Sequence, residues 1–252
     1  MATYSVRVTT LLANIRHLHV TAHTHAARVV PEATRTLHAA PGPIEATWAA
    51  ALDTLARHAR ALEAAEAAYI AEQSDDHAPR AARDTAAEAT ATTLRQVAGA
   101  LTAAFGPTAA ADYRLDGPMP VRPDSILRRA DAAIAQLHAQ PRSGAHALFG
   151  IDVHTRALAE RITNAADPLR AALHHVKREE GELKASLVDR DHAMATASRT
   201  YRIVASLLEA FFLAAGEARL ANTVRPTQRK ARGIDAAAPP VAEDTPEAPV
   251  VS

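Results

Sequence analysis

The sequence of 252 residues contains no cysteine, which excludes disulfides, thiolate metal sites and cysteine nucleophiles. Aromatic residues make up only 4% of the chain, so few large side chains are available to line a deep pocket. Glycine is scarce, with 9 residues, and the 15 prolines cluster in a few places. This distribution favours long helices with sharp boundaries and disfavours a sheet.

The chain also lacks an excess of charge and a long hydrophobic run. The formal net charge is zero, so nothing overall calls for nucleic acid or an anionic membrane as a partner. The most apolar window, residues 207–215, has nine residues and contains Glu209, which is too short for a transmembrane segment. The N-terminus lacks a secretory pattern because Arg16, His17 and His19 precede any long apolar run. These features predict a soluble, cytoplasmic protein.

Alanine is what the chain has most of, at 63 residues, and alanine has the highest intrinsic helix propensity. A long apolar heptad seam runs from Ile162 to Ala215. Fourteen of its sixteen a and d positions are apolar, which is typical of a long helix packed lengthwise against others. The a positions are Ile162, Leu169, Val176, Leu183, Arg190, Ala197, Val204 and Phe211, and the d positions are Ala166, Leu173, Glu180, Leu187, Met194, Tyr201, Leu208 and Ala215.

Proline and glycine residues mark the predicted helix boundaries in the rest of the chain. Helical periodicity predicts a helix over 6–29 that Pro31 stops or kinks, and a second helix from Ile44. Residues 73–79 interrupt the second helix as a turn or kink, and a helix resumes near Arg80 and ends at Phe105. Residues 106–123 form a boundary, and Asp124 is the predicted N-cap of a short helix. The Asp167-Pro168 pair could restart or bend the long helix.

The most specific feature is an internal repeat. Residues 83–106 align without gaps with residues 190–213 at an offset of 107, and 10 of 24 positions are identical. The seven identities that are not alanine carry the case for a duplication, and the alternative is two amphipathic helices that merely share a bundle pattern. We therefore predict an all-α, elongated antiparallel helical bundle built from two similar halves, 1–123 and 124–224, packed as one unit. A disordered, proline-rich C-terminal tail, 225–252, follows.

The repeat places Arg83 and Arg190 at matching seam positions, where an unpaired charge would be costly. Three interpretations remain open: the arginines reach solvent along their aliphatic stems, they form a buried polar layer that fixes the register of the halves, or they act in catalysis. The carboxylates considered as partners are Glu66, Asp84, Glu180 and Asp191.

The thirteen histidines are unevenly distributed, and four of them, His17, His19, His23 and His25, fall within nine residues. His19 and His23 are four residues apart, so on a helix both imidazoles can face one zinc or nickel ion. His17 and His25 point elsewhere on the same helix. A solvated polar helix face is the competing explanation, and no H-E-x-x-H pattern is present.

Other catalytic or cofactor signatures are missing. Asp189 and His192 have the i, i+3 spacing of di-metal bundles, but Ala82 and Thr85 stand at the repeated positions, which disfavours a di-iron site. The sequence has no glycine-rich phosphate loop and no Gly-x-Ser-x-Gly elbow. No cofactor is expected, and an enzyme is the less favoured class.

Three functions are consistent with this sequence. The first is a non-enzymatic helical scaffold or protein-interaction protein that binds a protein partner or self-associates, without nucleic acid. The second is a metal-binding bundle using His19 and His23. The third, weaker function is an amphipathic bundle that opens onto a lipid surface through residues 207–215, where Phe211 would be essential.

Overall fold

The computed structural model describes residues 4–40, 42–75, 77–145 and 152–234. Within these ranges the chain forms eight α-helices and two short strands, which confirms the all-α class. The helices are α1 (Val6–Thr36), α2 (Pro43–Asp75), α3 (His77–Phe105), α4 (Ala109–Asp112), α5 (Pro123–Ala139), α6 (Thr155–Ala214), α7 (Ala218–Val224) and α8 (Gln228–Ala231). The strands are β1 (Ser143–Ala145) and β2 (Asp152–His154), which pair antiparallel.

The chain folds into two compact units. Unit 1 combines Met1–Ala71 with Ala185–Ser252, and unit 2 consists of Glu72–Lys184. Unit 1 therefore contains α1, most of α2, the C-terminal part of α6, α7 and α8, and unit 2 contains the other elements with the N-terminal part of α6. The units are composed differently from the predicted halves, 1–123 and 124–224. The duplication itself stays a prediction.

The core of unit 1 is built from α1, α2 and the C-terminal part of α6. Helix α1 begins where the Ser5 side chain accepts a hydrogen bond from the Val8 amide, the usual role of an N-cap serine. Its buried positions recur three and four apart, which is the helical period. α2 and α6 run antiparallel here, because His58 meets Thr200 and, farther along α2, Glu66 meets Arg190.

Unit 2 packs α3 and α5 against the N-terminal part of α6. The segment 106–123, predicted as a boundary, lies inside this unit, where α4 and the fully buried Tyr113 belong to the core. The Tyr113 hydroxyl donates a hydrogen bond to the Gln140 carbonyl at 2.9 Å. The β1–β2 pair was not predicted. It includes Gly144, where an added Cβ would press against the Phe105 ring at 2.8 Å.

The heptad seam of α6 is buried at both ends and open in the middle. Every a and d position from Ile162 to Val176 is buried, and so is every one from Ala197 to Phe211. The a and d positions between these two stretches are half-buried or exposed. The seam therefore supplies two separate cores, one to each unit, and a continuous coiled coil stays a prediction.

Several predicted helix ends are wrong. Helix α1 passes through Pro31 and ends at Thr36, followed by His38 at a positive φ of 50°. Helix α6 also contains Pro168, as the predicted seam from Ile162 to Ala215 does. Each proline removes one backbone hydrogen bond, and the buried residues on both sides offset that loss. Asp124, the predicted N-cap of α5, lies in the first turn of the helix, and the N-cap is Arg122.

Part of the predicted tail is ordered. Residues 225–234 include α8, and Ala231 is buried against the core of unit 1. Asn14 of α1 donates a hydrogen bond to the Lys230 carbonyl at 2.9 Å. These contacts attach the segment to α1, and the proline count alone did not reveal them. Residues 235–252 of the predicted tail lie outside the described residues.

Candidate functional site

The predicted metal ligands lie side by side on α1. The rings of His19 and His23 are stacked, with centroids 6.3 Å apart and planes 13° from parallel. Two imidazoles alone make a weak site, because structural zinc sites use four ligands and catalytic sites use three protein ligands. Among the described residues, the donors that cluster at metal-site spacing are three glutamates elsewhere in the chain. Metal binding by His19 and His23 stays a prediction.

His17 differs from its neighbours because it faces the interior. Its Nε2 atom is buried and has no hydrogen-bond partner among the described residues. Burial lowers the pKa of His17 below its usual value of 6.5, and the nearby charge of Lys230 lowers it further. The folded state therefore favours neutral His17, whereas the unfolded chain takes up the proton near the usual pKa.

We expect His17 to reduce stability in acid. Because its folded-state pKa is depressed, the neutral ring stabilises the fold above about pH 6.5, and this contribution is lost as the pH falls. Urea unfolding of the wild type and of His17→Gln at about pH 7.5 and about pH 5.5 measures the effect. The loss between the two pH values should be smaller in the variant. Equal losses in the two proteins would contradict the assignment, and His38→Gln, at an exposed position, is the control.

The three clustered glutamates lie in unit 2. Glu72 of α2 and Glu179 and Glu182 of α6 place carboxylate oxygens within 4.8 Å of one another. Glu179 is 12% exposed and also contacts His175 at 3.4 Å. Arg178 lies 3.3 Å from Glu179 and 3.6 Å from Glu182, so part of the negative charge is neutralised locally. These contacts describe an ion-pair network on the helix surface.

A buried polar group joins α2 to α6 in unit 1. Glu66 is 2% exposed, and its Oε1 accepts a hydrogen bond from the Ser5 amide at 2.6 Å. Its Oε2 has no hydrogen-bond partner among the described residues, and the Arg190 Nε lies 3.8 Å away. The Arg190 guanidinium lies 4.6 Å from the centre of the Tyr69 ring and 2.7 Å from Asp191.

These contacts favour the interpretation of Arg190 as part of a buried polar layer. Burial alone would lower the pKa of Arg190, but the Asp191 hydrogen bond and the charges of Asp191 and Glu66 raise it overall. Arg190 is therefore a paired charge within unit 1, as expected for a polar layer between helices. In the repeated copy, Arg83 binds Asp84 at 2.7 Å in the same way.

A groove on the outer side of α6 has the composition of a binding surface. We call it the α6 groove; its volume is about 550 Å³, and it is lined by Arg199, Arg202, Ile203, Ser206, Pro226 and Thr227. Arg199 and Arg202 are exposed and stand one helical turn apart. Ile203, which lines the same groove, is 63% exposed. Two cations and an apolar side chain thus face the same groove.

In the described part of the chain, Arg202 lacks the ion pair that the aligned residue, Arg95, makes. In the aligned copy, Arg95 binds Glu88 at 3.6 Å. The position that corresponds to Glu88 in the second copy is Ala195. Arg202 therefore lacks the carboxylate that Arg95 contacts, and across the described ranges neither Arg202 nor Arg199 has an ion-pair partner. The alignment of Arg95 with Arg202 was visible in the sequence. The importance of Ala195 at the position aligned with Glu88 follows only from the contact between Arg95 and Glu88.

A second groove adjoins it on α6. We call it the exit groove, because it contains Ile234, the last described residue. Its volume is about 490 Å³, and it is lined by Arg7, Asp191, Met194, Ala195, Ser198, Arg232 and Ile234. Arg225, by contrast, is neutralised by Glu209 at 2.7 Å. Arg225 and Arg232 therefore differ in their surroundings, and Arg232 is the one that lines this groove.

The surface proposed for lipid contact is instead part of the core. Phe211 and Phe212 are buried, and the Trp48 ring packs against both, with centroids 5.9 and 5.7 Å away. In the part of the chain that the structure describes, no helix has the length and apolarity needed to cross a membrane. Residues 207–215 therefore stabilise unit 1.

Comparison with known proteins supplied no relative: no family model, curated protein or solved structure matches this chain.

Proposed function

We propose that this protein is a non-enzymatic helical scaffold that binds an acidic segment of a protein partner in the α6 groove. The observation that carries the proposal is the pair Arg199 and Arg202, which line the α6 groove with the exposed Ile203 and lack carboxylate partners among the described residues. Arginine pairs beside an apolar contact are suited to an acidic peptide that also carries aliphatic side chains.

The groove favours protein over nucleic acid. The chain has no net charge, whereas nucleic-acid binding surfaces are strongly basic. Bases also need aromatic side chains for stacking, and the α6 groove contains none. Its apolar part, Ile203 with Pro226, instead fits aliphatic side chains. Self-association through this surface would require an acidic patch on a second copy, and it is tested in the same experiment.

The test measures binding of a short fluorescein-labelled peptide of glutamate, valine and proline by anisotropy. We expect binding that Arg199→Glu with Arg202→Glu weakens about tenfold or more, and that weakens as NaCl rises from about 50 to about 300 mM. The matched control is Arg57→Glu with Arg60→Glu, exposed arginines of α2 at the same helical spacing. This control should bind like the wild type.

Three results would contradict the proposal. One is a peptide affinity that the Arg199 and Arg202 reversal leaves unchanged. Another is tighter binding of a single-stranded oligonucleotide, which would reassign the groove to nucleic acid. The third is a concentration-dependent dimer that the same reversal abolishes, seen by sedimentation, which would make a second copy the partner.

The other functional predictions are kept as proposals. A metal site at His19 and His23 would require a donor from outside the described residues, because the two imidazoles alone leave the coordination incomplete. The cytoplasmic location is likewise kept as a proposal.

A further inference from the structure

The last described residue, Ile234, lies in a groove of unit 1 that is lined by two arginines and one aspartate. Ile234 lines the exit groove together with Arg7 and Arg232. Gly233, at a positive φ of 66°, brings the backbone against the Arg7 carbonyl, where an added Cβ would collide with that oxygen. Only glycine fits this close approach, so the segment leaves unit 1 from a defined place.

The residues that follow carry only negative charge. Residues 235–252 contain four carboxylates and no lysine or arginine. Three of the four are grouped as Glu243, Asp244 and Glu247, and aliphatic residues such as Val241 stand close by. This is the composition that the two arginines and the exposed isoleucine of the α6 groove would bind. Prolines in the same stretch favour extended conformations, which suit a groove.

Residues 235–252 are numerous enough to reach the α6 groove. Thr245 stands eleven positions after Ile234, and an extended chain spans about 3.3 Å per residue, or about 36 Å. Along α6, the distance from Ala195 in the exit groove to Arg202 is about 10 Å, at 1.5 Å per residue. The acidic group can therefore return to the α6 groove without any change in the described fold.

We propose that residues 235–252 occupy the α6 groove of the same molecule and compete with an acidic partner for Arg199 and Arg202. This inference rests on the same groove as the proposed function. A tethered segment acts at an effective concentration in the millimolar range, so even a weak contact can occupy the groove. A partner then binds only by displacing the tail, which raises the affinity that the partner needs.

Cysteine cross-linking tests the proposal in the full chain, which has no cysteine of its own to interfere. Ser206→Cys and Thr245→Cys are combined, and the rate of intramolecular disulfide formation is measured under mild oxidation. We expect Arg199→Glu with Arg202→Glu to slow this rate at least about fivefold. The matched pair Arg57→Glu with Arg60→Glu should leave it unchanged. Equal rates in all three proteins would overturn the proposal.

Competition gives an independent measurement. Neutralising the acidic group by Glu243→Gln, Asp244→Asn and Glu247→Gln should tighten binding of the labelled acidic peptide about fivefold to tenfold. The control neutralises Glu45, Asp53 and Glu88, which are exposed on α2 and α3. Unchanged peptide affinity would overturn the inference and leave the proposed function intact. A groove-dependent cross-linking rate without peptide binding would support the inference and contradict the external partner.

Discussion

Phe212→Ala should lower the free energy of unfolding of unit 1 by about 3–5 kcal/mol, the usual cost of deleting a buried phenylalanine. The Phe212 ring is fully buried and meets the edge of Trp48, with ring planes 80° apart. Removing the ring leaves a cavity between α2 and α6 that neighbouring side chains fill only partly. Trp48 is the only tryptophan of the chain, so its fluorescence reports the transition of unit 1 directly.

Two variants calibrate this expectation. Phe212→Leu keeps most of the side-chain volume and should cost less than about 1.5 kcal/mol. Phe105 occupies the position in the first repeat that corresponds to Phe212, but it is only half-buried. Phe105→Ala, followed by circular dichroism, should therefore cost clearly less than Phe212→Ala. Equal losses for the two alanine variants would show that the repeat, and not the local burial, sets the contribution of each ring.

Much of the fold was predictable because helical periodicity is a strong signal over long segments. The a and d residues from Ile162 to Val176 and from Ala197 to Phe211 are buried as expected. The middle of the same seam could not be predicted as open, because Leu183 and Leu187 have the same apolar pattern as the buried positions. Whether a seam position meets a partner depends on residues distant in sequence.

Proline and glycine were less informative than expected. Pro31 and Pro168 lie inside helices, since flanking buried residues compensate for the lost hydrogen bonds. The prolines and glycines of segment 106–123 predict a boundary between the two halves, yet Tyr113 within this segment is buried in unit 2. Local conformational preferences identified the turns correctly, but they carry no information about what packs against a turn.

The candidate site was predictable only in its parts. The sequence showed the repeated arginines and four candidate carboxylates, but it did not show that Glu66 and Asp191 are the two that reach Arg190. It showed Arg95 aligned with Arg202, whereas the difference in their partners follows from the contact between Arg95 and Glu88. The contribution of a charged residue on a helix surface depends on its neighbours, which the sequence does not show.

Glu66→Ala should destabilise unit 1 by about 3 kcal/mol, at the lower end of the range for breaking a buried ion pair. The substitution removes the acceptor of the Ser5 amide and one of the two carboxylates that face Arg190. Asp191 remains bound to Arg190, and the guanidinium still contacts the Tyr69 ring, so the loss is not larger. Urea unfolding monitored by Trp48 fluorescence measures it.

A double-mutant cycle separates the pair from the cost of burying each member. Glu66→Leu with Arg190→Met replaces both charges by apolar side chains of similar length, and this double variant should regain most of the stability lost by Glu66→Leu alone. The coupling free energy should be about 1–3 kcal/mol. Arg83→Met, at the matching repeat position, removes a contact with the exposed Asp84 and should cost less than about 1 kcal/mol. Additive losses at Glu66 and Arg190 would show that the two side chains are buried independently, and the polar layer would then not fix the register of α2 against α6.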